Sequence, residues 1–265
     1  GNVTLKGRFT IDLGGAIPAY DVAPCIAHNA SVNADRGKPV MALICDPMLP
    51  LRVDKITPIG SLETGMMLKP HDWGVIDWVS EGRRCPAVVI DRPNGGRVMP
   101  SLDAKMRPIH EDTVARLLVR PGAEFLEILA NNNLTHRAIR PDNLFYTDAD
   151  QSRMVFGDCV SAPPAIAQPT IFETIESGMA LPAGRGDGSS LNDVYSLGVT
   201  ILTLLIGHVP LAGMTDEQII QEKLTHGTYN ALVGRERISL TMMEVLRGLL
   251  HDDPKERWAV NDLMY

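Results

Sequence analysis

Apolar and polar side chains alternate along residues 8–13, a period of two that predicts a half-buried strand. Residues 22–27 and 39–45 read as a second and a third strand, and residues 73–78 and 85–91 as a fourth and a fifth. Beyond residue 100 the period lengthens to that of helices. Leu117, Phe125, Leu126, Ile128 and Leu129 predict a long helix that Pro121 must either kink or start. The run from Val194 to Ile206 is apolar on every face, which suits a helix at the centre of a core, and it stops at Gly207, a residue fit for a C-cap. It is too short for a membrane span, which needs about 20 apolar residues. Thr215 followed by Asp216 and Glu217 predicts an N-cap and an acidic first turn. Met242, Met243, Leu246, Leu249 and Leu250 recur at helical spacing, the methionines reading as core filler. Residues 162–188, rich in Pro, Ala and Gly, are the predicted mobile loop, and no internal repeat interrupts the pattern.

Composition narrows the class. At 265 residues and 45% hydrophobic, the chain can bury a large core. Its net charge of −7 is uneven: residues 1–97 carry 11 basic and 10 acidic side chains, the remainder 14 and 22. An acidic second part argues against nucleic acid or an anionic membrane as its partner. Cys25, Cys45, Cys85 and Cys159 are far apart with no Cys-x-x-Cys pair, so neither zinc nor a disulfide framework is expected. Buried thiols in a reducing cytoplasm are. The opening Gly1-Asn2-Val3-Thr4 lacks the basic and apolar lead of a secretory signal, which also points to a cytoplasmic location, within a protein expected to be larger.

One run carries chemistry. His136-Arg137-Ala138-Ile139-Arg140-Pro141-Asp142-Asn143 resembles the catalytic loop of protein kinases, His-Arg-Asp-Leu-Lys-Pro-x-Asn. In that family the Asp accepts the proton of the substrate hydroxyl and the Asn holds a magnesium ion. Ala138 stands at the Asp position, and a methyl group takes no proton. Three further segments follow in the family's order. Gly157-Asp158-Cys159-Val160 resembles the approach to Asp-Phe-Gly, with Asp158 at the metal-binding Asp. Asp193-Val194-Tyr195-Ser196-Leu197-Gly198 resembles the start of the central C-lobe helix, and Asp253-Pro254-Lys255-Glu256-Arg257 resembles the Asp-Pro-x-x-Arg segment.

The resemblance implies an α+β, bilobal protein kinase-like fold in a single domain, residues 1–265. Residues 1–97 would form a β-rich N-lobe through the hinge, and 98–265 a mainly helical C-lobe. It also exposes departures. Gly14-Gly15-Ala16-Ile17-Pro18-Ala19-Tyr20 stands where kinases carry Gly-x-Gly-x-x-Gly, and Pro18 removes an amide donor. Ile44 stands at the strand-3 lysine, and Glu63 falls near that lysine's carboxylate partner by family spacing, though a surface glutamate explains it as well. Arg92-Pro93-Asn94-Gly95-Gly96 would be the hinge and Ile90 the gatekeeper. His136 is expected to be a packed core histidine, and Asp193 to accept from the backbone of the His136-Arg137 loop. In kinases Arg257 would pair with the Glu of Ala-Pro-Glu, but Ala180-Leu181-Pro182-Ala183-Gly184 has none, so it turns to Glu173 or Glu176, or that pair has been replaced.

The expected function is that of a catalytically inactive kinase-like module, a pseudokinase, that binds a protein as a scaffold or regulator in signalling. The alternative is a nucleotide-binding switch, or a weak noncanonical phosphotransferase, with Asn143 and Asp158 as the metal ligands and Arg140 keeping the charge of the family's lysine. No cofactor is expected under the first reading. ATP with Mg²⁺ is the cofactor under the second.

Overall fold

A computed structural model describes residues 1–263, and the chain divides into two compact units. The first comprises residues 1–98 together with 145–167, the second residues 99–144 together with 168 onward. The C-terminal limit expected at 265 lies outside the described residues.

The first unit is built on six antiparallel strands: β1 (Asn2–Leu5), β2 (Phe9–Ala16), β3 (Ile26–Val32), β4 (Asp35–Ile44), β5 (Pro70–Trp78) and β6 (Arg83–Asp91), in the order β1-β2-β3-β4-β6-β5. One strand more than expected is present, because β1 is four residues long and carries no alternation to announce it. The second predicted strand, 22–27, begins instead at Ile26. Residues 17–25 form a turn whose 3₁₀ segment Pro18–Tyr20 starts on a proline. The sheet curls until its ends meet: a Cβ on Gly74 of β5 would stand 3.0 Å from the Leu5 methyl of β1, and Lys6 pairs with Asp72 at 2.8 Å. Side chains of period two fill its interior, among them Phe9, Ile11, Val40, Ala42, Ile44 and Ala87. Helix α1 (Val53–Gly60) follows β4 and buries Ile56 and Ile59. Strands β7 (Leu144–Tyr146) and β8 (Met154–Phe156) form a separate pair.

The second unit is helical: α2 (Glu111–Val114), α3 (Arg120–Asn131), α4 (Ile175–Met179), α5 (Ser190–Ile206), α6 (Asp216–His226), α7 (Thr228–Val233), α8 (Leu240–Leu249) and α9 (Val260–Leu263). Helices α2 and α3 are continuous through a wide π-type turn at Ala115–Val119. Pro121 is the second residue of α3 and so marks its start, where the missing amide leaves no helical hydrogen bond unmade. Helix α5 is buried without interruption from Asp193 to Leu205, as its all-round apolar pattern requires. Ser189 and Asn192 close a capping box at its start, and Gly207 ends it at φ +83°. The segment 162–188 is not a free loop: Thr170, Ile171, Phe172 and Glu173 are buried and anchor it. No described helix is long and apolar enough to cross a membrane.

Candidate functional site

In the second unit the catalytic-loop residues are held by α5. The Asp193 carboxylate accepts from the His136 amide at 2.8 Å and the Arg137 amide at 2.9 Å, which fixes Arg137 at φ +65°. His136 is fully buried, edge-on to Phe125, and its Nδ1 accepts from the Ala138 amide at 3.1 Å. It is a core histidine. The Asn143 amide nitrogen donates to the Ala138 carbonyl at 3.0 Å, closing the loop on itself. Arg140 donates to Asp142 and to Gln168, each at 2.9 Å, and Gln168 donates in turn to the Ile139 carbonyl. The cation at the family's lysine position is thus bound within its own unit.

Arg137 extends from this loop to Glu173. Their ion pair, 3.1 Å long, has both side chains fully buried, and Arg137 also donates to Ser177 Oγ and the Gly186 carbonyl. Behind it lies Lys223 of α6, also fully buried, whose ammonium donates to the carbonyls of Glu173 at 2.8 Å and Ile171 at 3.3 Å. Burial pushes the Lys223 pKa down to about 7 against the pull of Asp252 and Glu173. Lys223 and Arg257 both stack on the Tyr195 ring, at 5.0 and 5.3 Å. Arg257 donates to the carbonyls of His251, Leu191 and Asp252 and makes no ion pair with Glu173 or Glu176. The family's buried pair has therefore been replaced.

Asp158 belongs to the first unit and so is not brought onto one element with Asn143. Its Oδ1 accepts from the Val160 amide and Ser161 Oγ, and its Oδ2 from the Ser161 amide, at 3.0–3.2 Å. Burial pushes its pKa up, while these donors and Arg52 pull it down. Arg52, at the start of α1, is buried against the same turn and donates to the Cys159 carbonyl at 2.9 Å. No motif announces this arginine; only the position of α1 reveals it.

Family spacing singles out Ile44 and Glu63. Ile44 points into the sheet interior with Ala42 and Ala87, and carries no charge that could meet a phosphate. Glu63 is exposed and lies beyond the end of α1, in keeping with its reading as a surface glutamate.

The glycine-loop counterpart and the hinge close on each other within the first unit. Tyr20 donates its hydroxyl to the Gly95 carbonyl at 2.9 Å and packs its ring on Phe145, while Arg97 donates to the Ala19 carbonyl at 2.8 Å. The amides of Ile17, Tyr20 and Asp21 donate to Ala27, Ile17 and Pro18, and Pro18 has none to give. Four donors at the hinge are consumed in the same way. The amides of Asp91, Arg92, Asn94 and Gly95 donate to the carbonyls of Lys69, Pro39, Thr147 and Tyr146, and Pro93 has no N–H. Ile90, the gatekeeper position, is fully buried opposite Met41. Among the described residues no cluster of three or more His, Cys, Asp or Glu side chains is placed to hold a metal ion.

Comparison with known proteins agrees with this architecture. The chain is 21% identical over 208 residues to human MAP kinase-activated protein kinase 2, covering 74% of this chain and 52% of that protein. It is 24% identical over 204 residues to a calcium and calcium/calmodulin-dependent serine/threonine-protein kinase of Lotus japonicus, covering 74% and 39%. The chain thus spans about half or less of the length of these relatives. The crystal structure of Rad53 1–466 in complex with AMP-PNP superposes with a TM-score of 0.74 at 19% identity, over 97% of this chain and 64% of that one. The model of the protein kinase domain family matches residues 75–265, and the chain belongs to that family.

Proposed function

We propose that this domain is a pseudokinase: a kinase-fold module that transfers no phosphate and acts by binding a protein, as a scaffold or regulator in signalling. One observation carries the reading. The catalytic loop keeps the contacts that shape it, Asp193 on the His136 and Arg137 amides and Asn143 on the Ala138 carbonyl, yet presents a methyl group where the general base belongs. A general base supplies about 10²–10⁴ in rate, and kinase catalysis otherwise rests on positioning and charge. The lysine that would supply charge is absent at Ile44, the last residue of β4.

The residues also fit a magnesium nucleotide poorly, and no step is derived through one. Adenine's ring nitrogens need a hinge N–H, and those from Asp91 to Gly95 are engaged or missing. The Asp158 carboxylate caps its own buried turn, and Asn143 serves its own loop. This favours a protein-binding module over a nucleotide switch or weak transferase. The named relatives are kinases, and that activity is theirs. The test is γ-phosphate transfer from radiolabelled ATP, with Mg²⁺ or Mn²⁺, to the chain itself and to generic protein substrates. The expected result is no incorporation by the wild type or by Ala138→Asp, which restores only the base. Incorporation by the wild type that Asp158→Ala abolishes would refute the reading.

A further inference from the structure

The register of β3 and β4 brings two cysteines face to face. Ile26 is paired with Ile44, so one step further along the antiparallel ladder sets Cys25 opposite Cys45. Neither amide crosses between them: Cys25 donates to the Val22 carbonyl at 2.7 Å and Cys45 to the Pro86 carbonyl at 2.8 Å. They are thus a non-hydrogen-bonded pair, the kind whose Cα atoms approach to about 4.5 Å and whose side chains lie closest. That separation falls within the range a disulfide spans, about 4.4–6.8 Å. Both side chains are buried, the Cys25 thiol donating to the Ser161 carbonyl at 3.4 Å and the Cys45 thiol to the Leu43 carbonyl at 3.5 Å. Cys85 lies instead in the sheet interior with Ile44.

We infer that Cys25 and Cys45 are a modification site, a thiol pair that closes reversibly to a cross-strand disulfide on exposure to a peroxide. With both residues 3% exposed or less, the site suits an oxidant as small as hydrogen peroxide. One of the two cysteines attacks a peroxide oxygen as its thiolate and the O–O bond breaks, leaving a sulfenic acid and a hydroxide that becomes water. The other thiol then attacks that sulfur, the S–O bond breaks, and the departing oxygen takes this thiol's proton to leave as a second water. Two thiols lose two electrons, and one peroxide becomes two waters.

Closure has a local consequence. The Cys25 thiol now donates to the Ser161 carbonyl at 3.4 Å, and Ser161 supplies two of the donors that hold Asp158. A disulfide sulfur donates nothing, so oxidation removes a bond from the Asp158 turn.

The test treats the reduced full chain with graded hydrogen peroxide under native conditions, then removes the oxidant with catalase. The chain is denatured in N-ethylmaleimide and digested without reduction for mass spectrometry. Oxidation of Met48, which is 84% exposed, reports that the peroxide acted. The expected result is a linked peptide pair containing Cys25 and Cys45, two hydrogens lighter than the thiols, reversed by dithiothreitol, with Cys85 and Cys159 alkylated. Cys159→Ser should retain the link and Cys45→Ser should lose it. Alkylated Cys25 and Cys45 at a dose that oxidises Met48 would overturn the inference. So would a sulfinic acid at either residue without a link, or a link formed through Cys85 or Cys159.

Discussion

Replacing Glu173 by alanine should be among the most damaging single changes in the second unit. Its carboxylate and the Arg137 guanidinium are both fully buried and 3.1 Å apart, so the change leaves a desolvated cation. Breaking a buried pair from one side costs about 3–5 kcal/mol. Arg137 keeps the Ser177 hydroxyl and the Gly186 carbonyl, which offset part of this, whereas Lys223 loses a nearby anion, which adds to it. At about 2–4 °C per kcal/mol for a chain of this size, thermal unfolding should shift down by on the order of 10 °C. Arg137→Met should cost less, because the charge of Lys223 still acts on the stranded carboxylate. The double variant, which removes both charges, should be more stable than the sum of the two losses predicts, with a coupling of at least about 2 kcal/mol. A Glu173→Ala shift of under about 2 °C, or strictly additive losses, would refute the assignment of this pair as the anchor of segment 162–188.

Stability should depend on pH through Lys223. Its folded pKa of about 7 lies below the ordinary lysine value of 10.5, so between these the unfolded chain binds the extra proton and stability rises with pH, by up to about 1.4 kcal/mol per unit. Denaturant melts from pH 7 to pH 10 should show this rise, and Lys223→Met should flatten it; above pH 10 Tyr195, whose burial raises its pKa, acts in the opposite sense. Gly207→Ala should destabilise by about 1–3 kcal/mol, because φ is +83° and the new Cβ would run into the Met106 carbonyl; a melt unchanged from wild type would contradict that backbone. Tyr20→Phe should lose about 0.5–1.5 kcal/mol with the Gly95 hydrogen bond, measurable as a lower urea midpoint at unchanged slope.

What the sequence disclosed depended on how local each signal was. Helix α5 and its Gly207 stop were legible because an all-round apolar run bounded by glycine admits few other structures. Asp193 was legible because its motif fixes it one turn into that helix. Strand β1 and the start of β3 were not, since four residues show no period and the turn before Ile26 is set by Pro18 and by Tyr20 reaching Gly95. Lys223 carries no sequence signal at all, and Glu173 stands out only as a possible partner for Arg257, not for Arg137. A glutamate in a Pro- and Ala-rich stretch and a lysine on a polar helix both read as solvated, and only tertiary burial makes them an ionic core. The engaged hinge amides were equally hidden, because backbone donors have no spelling in side chains.

The most direct test of the central claim is thermal unfolding of the purified chain with ATP, ADP and AMP, each with and without Mg²⁺ or Mn²⁺. A ligand at about 100 times its dissociation constant adds about 2.7 kcal/mol, enough to raise the melting temperature by several degrees. The account predicts no shift with any nucleotide or metal, since the amides from Asp91 to Gly95 are engaged or missing and the Asp158 carboxylate is already held. A metal-dependent rise of several degrees that Asp158→Ala removes would contradict it and make Asn143 and Asp158 functional ligands.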